Sequence, residues 1–430
     1  MANYIPNTNS EIELMLNTLG ISSLDELYRG IPDELKCDRK LLAGGLSEQE
    51  IQDLFHNLAK QNKSYSCIFA GGGSYNHYIP AVVKNLQERN EFITAYTPYQ
   101  AEISQGILQA IFEYQSMICA LTGMEVSNAS HYSGATSAAE GVLMCADKGK
   151  VVTFDNINPD TLAVIKTYLW ARGVELEVLK AEDGKAVLKD DLSGVACIYF
   201  EYTNYLGLIE DAKAIIEKAH AQKVKVVMGC NPIALALLKT PGELGADVAV
   251  GDGQPLGLPI SFGGPYVGFM ATTKKLMRKL PGRIVGQTVT SKGEKAYVLT
   301  LQAREQHIRR EKASSNICSN QSLCAMINGM YLSAVGPQGL KEVATTCVSN
   351  AHYLANEFKS QGIKLAYSGE FFHEFVTVTP GKAAAIVEKL GLKNILGGIV
   401  LDQDRILWCC TEQVTKKDMD NVITTVGGVL

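Results

Sequence analysis

The sequence predicts an α/β protein built on a mostly parallel sheet, and three observations carry that expectation. Apolar runs of about four to eight residues recur between positions 151 and 271, helical patterns of about ten residues or more separate them, and turn-forming residues punctuate the junctions. Alternation of this kind implies crossover connections and a sheet covered on both faces.

The elements follow in chain order. Residues 1–65 read as a helical arm, with helices over Asn9–Leu19, Ser23–Tyr28, Pro32–Leu35 and Ser47–Lys60, and with Asn7, Thr8 and Ser47 as N-cap candidates. Such a segment has little core of its own and is expected to lie on a neighbour. Residues 66–318 form the large α/β domain. Helical periodicity over Leu108–Thr122 stops at Gly123, a residue suited to the left-handed end of a helix. Strands are expected at Val151–Phe154, Glu175–Leu179, Ala196–Glu201, Lys225–Met228, Asp247–Val250 and Val267–Ala271. Helices are expected at Ser137–Ala146, Pro159–Ala171, Glu210–Ala221 and Pro232–Leu238. Residues 319–430 comprise a long linking helix, Ser319–Val335, and a small α+β domain. That domain reads as helix Lys341–Ser360, strands Ile363–Ala366 and His373–Thr379, helix Ala383–Leu390, strands Ile399–Leu401 and Arg405–Thr411, and helix Lys416–Val426.

Bulk composition narrows the function classes. The 430 residues exceed what one core normally spans, and 20% charged residues with a net charge of -5 give no pull towards nucleic acid or anionic membrane. The N-terminus lacks a basic start followed by an apolar run, and no apolar stretch reaches membrane-spanning length, so the cytoplasm is the expected compartment. The eleven cysteines show neither Cys-x-x-Cys spacing nor a companion histidine pair, which disfavours zinc and leaves no metal site expected. Cys119, Cys145 and Cys197 sit in apolar runs as small hydrophobes, and Cys409 and Cys410 lie in an alternating, strand-like stretch.

Several segments suggest chemistry. Ser133, Gly134, Ala135 and Thr136 precede a helix of small residues, where backbone amides and hydroxyls make a cradle for an anion; the same residues also suit a plain N-cap packed against a strand. The glycine clusters Gly71–Gly73, Gly251 with Gly253 and Gly257, and Gly263 with Gly264 do not match a dinucleotide fingerprint. In Glu91–Gly106, Tyr96 and Tyr99 combine flat apolar faces with hydroxyls, as suits a ligand entrance or a packed surface loop. Arg304–Gln321 concentrates Arg304, His307, Arg309, Arg310 and Lys312, which suits a solvated helix face, a site or a subunit junction.

Taken together, GGGSYNHYIP (Gly71–Pro80), TAYTPYQAEISQG (Thr94–Gly106), QAIFEYQSMICALTGM (Gln109–Met124), GDGQPLGLPISFGGP (Gly251–Pro265) and REQHIRREKASSNIC (Arg304–Cys318), with YIPNT near the start, resemble the glycine decarboxylase P-protein. The resemblance spans essentially the whole chain and points to the N-terminal half, which some organisms encode as a separate α subunit. It implies a fold-type-I, aminotransferase-like large domain. It also implies a partner β subunit that carries pyridoxal 5'-phosphate, in an α2β2 assembly that decarboxylates glycine and passes the aminomethyl group to the lipoyl arm of the H-protein. In that pattern a strand-end aspartate pairs with the pyridinium nitrogen and a later strand-end lysine forms the imine. Here the first strand end reads Gly229, Cys230, Asn231, the second carries Gln254 and Pro255, and no lysine occurs between Lys239 and Lys274.

The resemblance therefore implies a subunit that does not anchor the cofactor and needs its partner for glycine dehydrogenase activity. Residues 133–136 become a vestigial phosphate cradle, and Tyr96, Tyr99, Gln100, Arg304, His307 and Arg309 become candidates for the wall of the partner's active site. Two rival readings stand beside it. One is a silent scaffold that stabilises its partner; the other is a complete pyridoxal enzyme using Lys274, which follows the apolar strand at a helix start.

Overall fold

The computed structural model describes residues 6–37, 45–94 and 97–430. Contacts divide the chain into two units, up to Lys63 and from Ser64 onward.

In the first unit, helix α1 (Asn9–Leu19) starts at a capping box between Thr8 and Glu11 and ends at Gly20 in the left-handed conformation. Helix α2 (Glu48–Ala59) has the same device in Ser47 and Glu50. The segments expected as helices at Ser23–Tyr28 and Pro32–Leu35 are short 3-10 turns. No residue of any of these helices is buried, and Leu14 and Phe55 are 67% and 64% exposed, which agrees with a segment lacking its own core.

The second unit is built on a seven-stranded sheet. Helix α3 (Gln105–Thr122) packs beneath it, followed by strand β1 (Val126–Ser127) and helix α4 (Gly134–Cys145). Then come β2 (Lys150–Phe154), α5 (Pro159–Ala171), β3 (Leu176–Leu179), β4 (Val195–Glu201), α6 (Ala212–Ala221), β5 (Lys225–Gly229), β6 (Val248–Asp252) and β7 (Gly268–Thr272). The spatial order is β1-β7-β6-β5-β4-β2-β3. The five strands from β3 to β6 run parallel, while β7 and β1 pair antiparallel at one edge. Val226, Val227 and Met228 are all fully buried, as consecutive residues of a strand covered on both faces must be.

Pro232–Leu238 is not the expected helix but a single 3-10 turn, Ala234–Ala236. The residue before Pro241 is held extended by the proline ring, and Thr240 there caps a separate short helix, Pro241–Leu244. The sequence reading also missed a hairpin, β8 (Ile284–Val289) with β9 (Lys295–Thr300). Helix α7 (Ser322–Ser360) joins the two helices expected at Ser319–Val335 and Lys341–Ser360 into one run, broken by Gly336 at φ 61°, ψ 179° and followed by Pro337. Its first half packs in the core around the large sheet through Ala325, Ile327 and Tyr331. Its second half contributes Ala351, Leu354 and Phe358 to a second core.

That second core lies under an antiparallel sheet of β10 (Lys364–Leu365), β11 (Glu374–Val378), β12 (Ile399–Val400) and β13 (Arg405–Cys409), in the order β10-β11-β13-β12. Helices α8 (Ala383–Leu392) and α9 (Lys416–Gly427) cover it. Trp408 is fully buried there and donates its indole N–H to the Thr377 hydroxyl at 2.8 Å.

Candidate functional site

Parallel strands converge on a cleft at their C-terminal ends, the usual ligand position in such sheets. Here β4, β5 and β6 end at Glu201, Gly229 and Asp252, and all three residues line a cavity of about 530 Å³. The start of α4 (Ser133, Gly134, Ala135), the loop Gly72–Tyr75 and Glu374 of β11 close its other sides.

At the start of α4, the backbone amides of Gly134, Thr136 and Ser137 find their partners within the chain. The Gly134 amide donates to Asp252 Oδ2 at 2.7 Å, the Thr136 amide to Ser133 Oγ at 3.3 Å, and the Ser137 amide to the Ser133 carbonyl at 2.9 Å. The negative charge at this helix end is thus the carboxylate of Asp252, which also accepts from the Gln254 amide at 2.9 Å. Burial raises the Asp252 pKa to about 6 and the amide hydrogen bonds pull it back. Thr136 does not line the cavity.

The floor is acidic as well. Glu201 accepts from the Asn158 amide at 2.9 Å and from the Tyr199 hydroxyl at 3.2 Å; burial raises its pKa to about 7, opposed by those hydrogen bonds. Glu374 accepts from the Gly72 amide at 2.7 Å and the Tyr75 hydroxyl at 2.8 Å, and burial likewise raises it to about 7. The glycines of the Gly71–Gly73 motif are explained here: a Cβ at Gly71 would stand 2.8 Å from the Cβ of Cys409 and closer still to Glu374. A Cβ on Gly229 would meet the Tyr199 hydroxyl at 2.7 Å and Glu201 at 3.0 Å, so these side chains occupy the space a longer residue at that strand end would need. Asp160 adds a fourth acid, and no lining residue is lysine, arginine or histidine. Gln254 is not at the cleft surface. Its amide pairs with both backbone groups of Tyr75 at 2.8 and 2.9 Å, tying the Gly72–Tyr75 loop to the sheet.

The remaining candidates gather elsewhere. Arg283, which sequence reasoning missed, lies 3.4 Å from the centre of the Tyr99 ring and 3.1 Å from Glu305, and Glu305 is 3.5 Å from His307. Arg304 donates to the Leu280 carbonyl, while its Nε and Nη2 are buried without a hydrogen-bond partner. Arg309 donates to the Ala303 carbonyl at 3.3 Å. The structure therefore brings Tyr99 and His307 to one arginine–glutamate pair, and none of Tyr99, Gln100, Arg304, His307 or Arg309 lines the cleft. Tyr96 lies outside the described residues.

A parallel sheet with its cleft at the strand ends, helices on both faces and a small C-terminal sheet alongside is the architecture of the fold-type-I pyridoxal-phosphate enzymes. Aspartate aminotransferase from Thermus thermophilus shares the fold, with a TM-score of 0.61 at 14% identity over 85% of this chain and 100% of that one. Within that class the chain belongs to the family described as glycine cleavage system P-protein, whose model matches residues 2–426. It is 46% identical to the probable glycine dehydrogenase (decarboxylating) subunit 1 of Desulfitobacterium hafniense, over 99% of this chain and 100% of the relative. The counterpart of the same name in Desulforamulus reducens is also 46% identical, over 99% of each. A crystal structure of inhibitor-bound glycine decarboxylase (P-protein) of the glycine cleavage system superposes with a TM-score of 0.94 at 40% identity, over 100% of both chains.

Pyridoxal phosphate, the cofactor of this fold class, does not fit the cleft of this chain. Its phosphate would meet Asp252 at the start of α4 and carboxylates on the cleft floor. Its ring nitrogen would find Gly229 and Cys230 where a charge partner is needed, and no amine lines the cavity for an imine.

Proposed function

We propose that this chain is the subunit of a heteromeric glycine decarboxylase that does not anchor the cofactor. In this reading a partner β subunit carries pyridoxal phosphate in an α2β2 complex, glycine loses carbon dioxide there, and the aminomethyl group passes to the lipoyl group of the H-protein. The single observation that carries the reading is the cleft itself: family membership is accompanied by four acidic side chains, no basic one, and a helix start already occupied by Asp252.

The cluster of Arg283 and Glu305 with Tyr99 and His307 would supply part of the wall of the partner's site, together with Arg304, Arg309, Tyr96 and Gln100. Arg304 supports this assignment, because a guanidinium with two buried, unpartnered nitrogens is suited to a carboxylate from outside the chain.

The test is co-purification with the neighbouring-gene product and glycine–bicarbonate exchange measured for each chain alone and for both. Exchange only with both chains, together with imine absorbance on the partner alone, is the expected result. Borohydride-fixed cofactor on this chain overturns it. Tyr96→Phe and Arg304→Ala, made separately, are each expected to lower turnover per intact complex at least tenfold; unaltered turnover removes the wall assignment and favours the scaffold reading.

A further inference from the structure

A second cluster lies where three segments distant in sequence meet. His77 Nδ1 is 2.7 Å from Glu412 Oε2, and Cys347 Sγ is 3.4 Å from the same oxygen. One ligand atom from each of the three lies within 4.8 Å of the other two, and His77 and Cys347 are buried. The segments are already tied together around it: the Thr411 hydroxyl donates to the Asn76 carbonyl at 2.7 Å, and Asn350 donates to the carbonyls of Thr411 and Val414, each at 3.0 Å.

Tyr331, on the same helix as Cys347, is 1% exposed and its hydroxyl has no hydrogen-bond partner. His77 Nε2 is also buried and unpartnered, as is Nδ1 of the neighbouring His373. Buried polar atoms are rarely left so.

We propose that His77, Cys347 and Glu412 form a binding site for a divalent transition-metal ion of the zinc class, pinning the loop after Gly73 and the segment after β13 to helix α7. Imidazole, thiolate and carboxylate are the donor types such an ion takes. Tetrahedral zinc with bonds of about 2.0–2.3 Å sets its ligand atoms about 3.3–3.8 Å apart. The Cys347–Glu412 separation lies in that range, and the His77–Glu412 pair has to open by less than about 1 Å. Binding displaces the Cys347 thiol proton to solvent. The ion's two positive charges are then balanced by one thiolate and one carboxylate, so the buried group is neutral overall. The ligands stand at positions 77, 347 and 412, which is why no spacing along the chain revealed them.

This inference is independent of the proposed function. The full-length reduced chain, stripped with chelator, is titrated with cobalt(II) alone. One equivalent binding with a thiolate-to-cobalt charge-transfer band and the strong visible bands of a tetrahedral ion is expected, and zinc should displace it. Cys347→Ser should abolish the band, and His77→Gln should weaken binding at least tenfold, while Cys230→Ser leaves both unchanged. Should Cys347→Ser fail to fold, the His77→Gln comparison and the unsubstituted titration still decide. Absence of the band in the folded unsubstituted chain, its persistence in Cys347→Ser, or an unchanged affinity in His77→Gln overturns the site and leaves a hydrogen-bonded anchor only.

Discussion

Glu374 joins the small sheet to the cleft, and its charge makes a prediction about pH. Unfolded, its carboxyl titrates near the ordinary 4.5; folded, burial moves it to about 7, with the Gly72 and Tyr75 hydrogen bonds opposing the shift. Below pH 4.5 both states are protonated. From there to pH 7 the unfolded state ionises first, so the Glu374 contribution to stability falls through this window and stays lowered above it. Glu374→Gln, which mimics the protonated form, should make the fall of the urea midpoint between pH 5 and 8 shallower, Glu201 and Asp252 keeping the rest of it, and gain about 1–3 kcal/mol at the upper end. A pH profile parallel to that of the parent would refute this account. Glu305 gives the opposite sign. It is buried against Arg283, so Glu305→Ala leaves an unpaired buried guanidinium and should cost about 3 kcal/mol in the same assay, whereas an effect under about 0.5 kcal/mol would mean the pair is solvated.

Among the elements, helix α7 is where sequence and structure differ most usefully. The break at Gly336 has a backbone geometry that only glycine adopts readily, yet nothing lies within 4 Å of where its Cβ would stand. Gly336→Ala should therefore destabilise by about 1–3 kcal/mol through backbone strain alone, measured by denaturant unfolding. A neutral result would show that the rod can straighten. The strands β2 to β7 were legible because their apolar runs are short, consecutive and bounded by turns. The antiparallel direction of β7 was not, since direction depends on where the chain re-enters the sheet and leaves no mark on composition. The Pro232–Leu238 segment misled because its apolar residues follow helical spacing while Pro241 decides its end. At the site, local chemistry singled out Ser133–Thr136, of which Ser133, Gly134 and Ala135 line the cleft. Asp252, Glu201 and Glu374 were not singled out, because what matters about them is that folding brings three separate strand positions around one cavity.

For the whole molecule the expectation is division of labour. No helix among the described residues is long and apolar enough to cross a membrane. The seven-stranded sheet and family membership set the scaffold of a cofactor enzyme, and the acidic cleft argues against cofactor in this chain. Equilibrium dialysis of the isolated chain against pyridoxal phosphate should accordingly show no saturable binding at micromolar concentration, and a stoichiometric complex would contradict the electrostatic argument.

The pairing of Asp252 with the Gly134 amide has a consequence for how this sequence can vary. Replacing Asp252 alone strips a cap from α4 without providing an amine, and lengthening Gly229 alone collides with Tyr199. A lysine at Gln254 unfastens Tyr75 while the surrounding acids remain. Each of these single steps towards a coenzyme pocket thus begins by loosening the fold before it supplies a complete anchor, so the cleft is kept as it is by its own architecture.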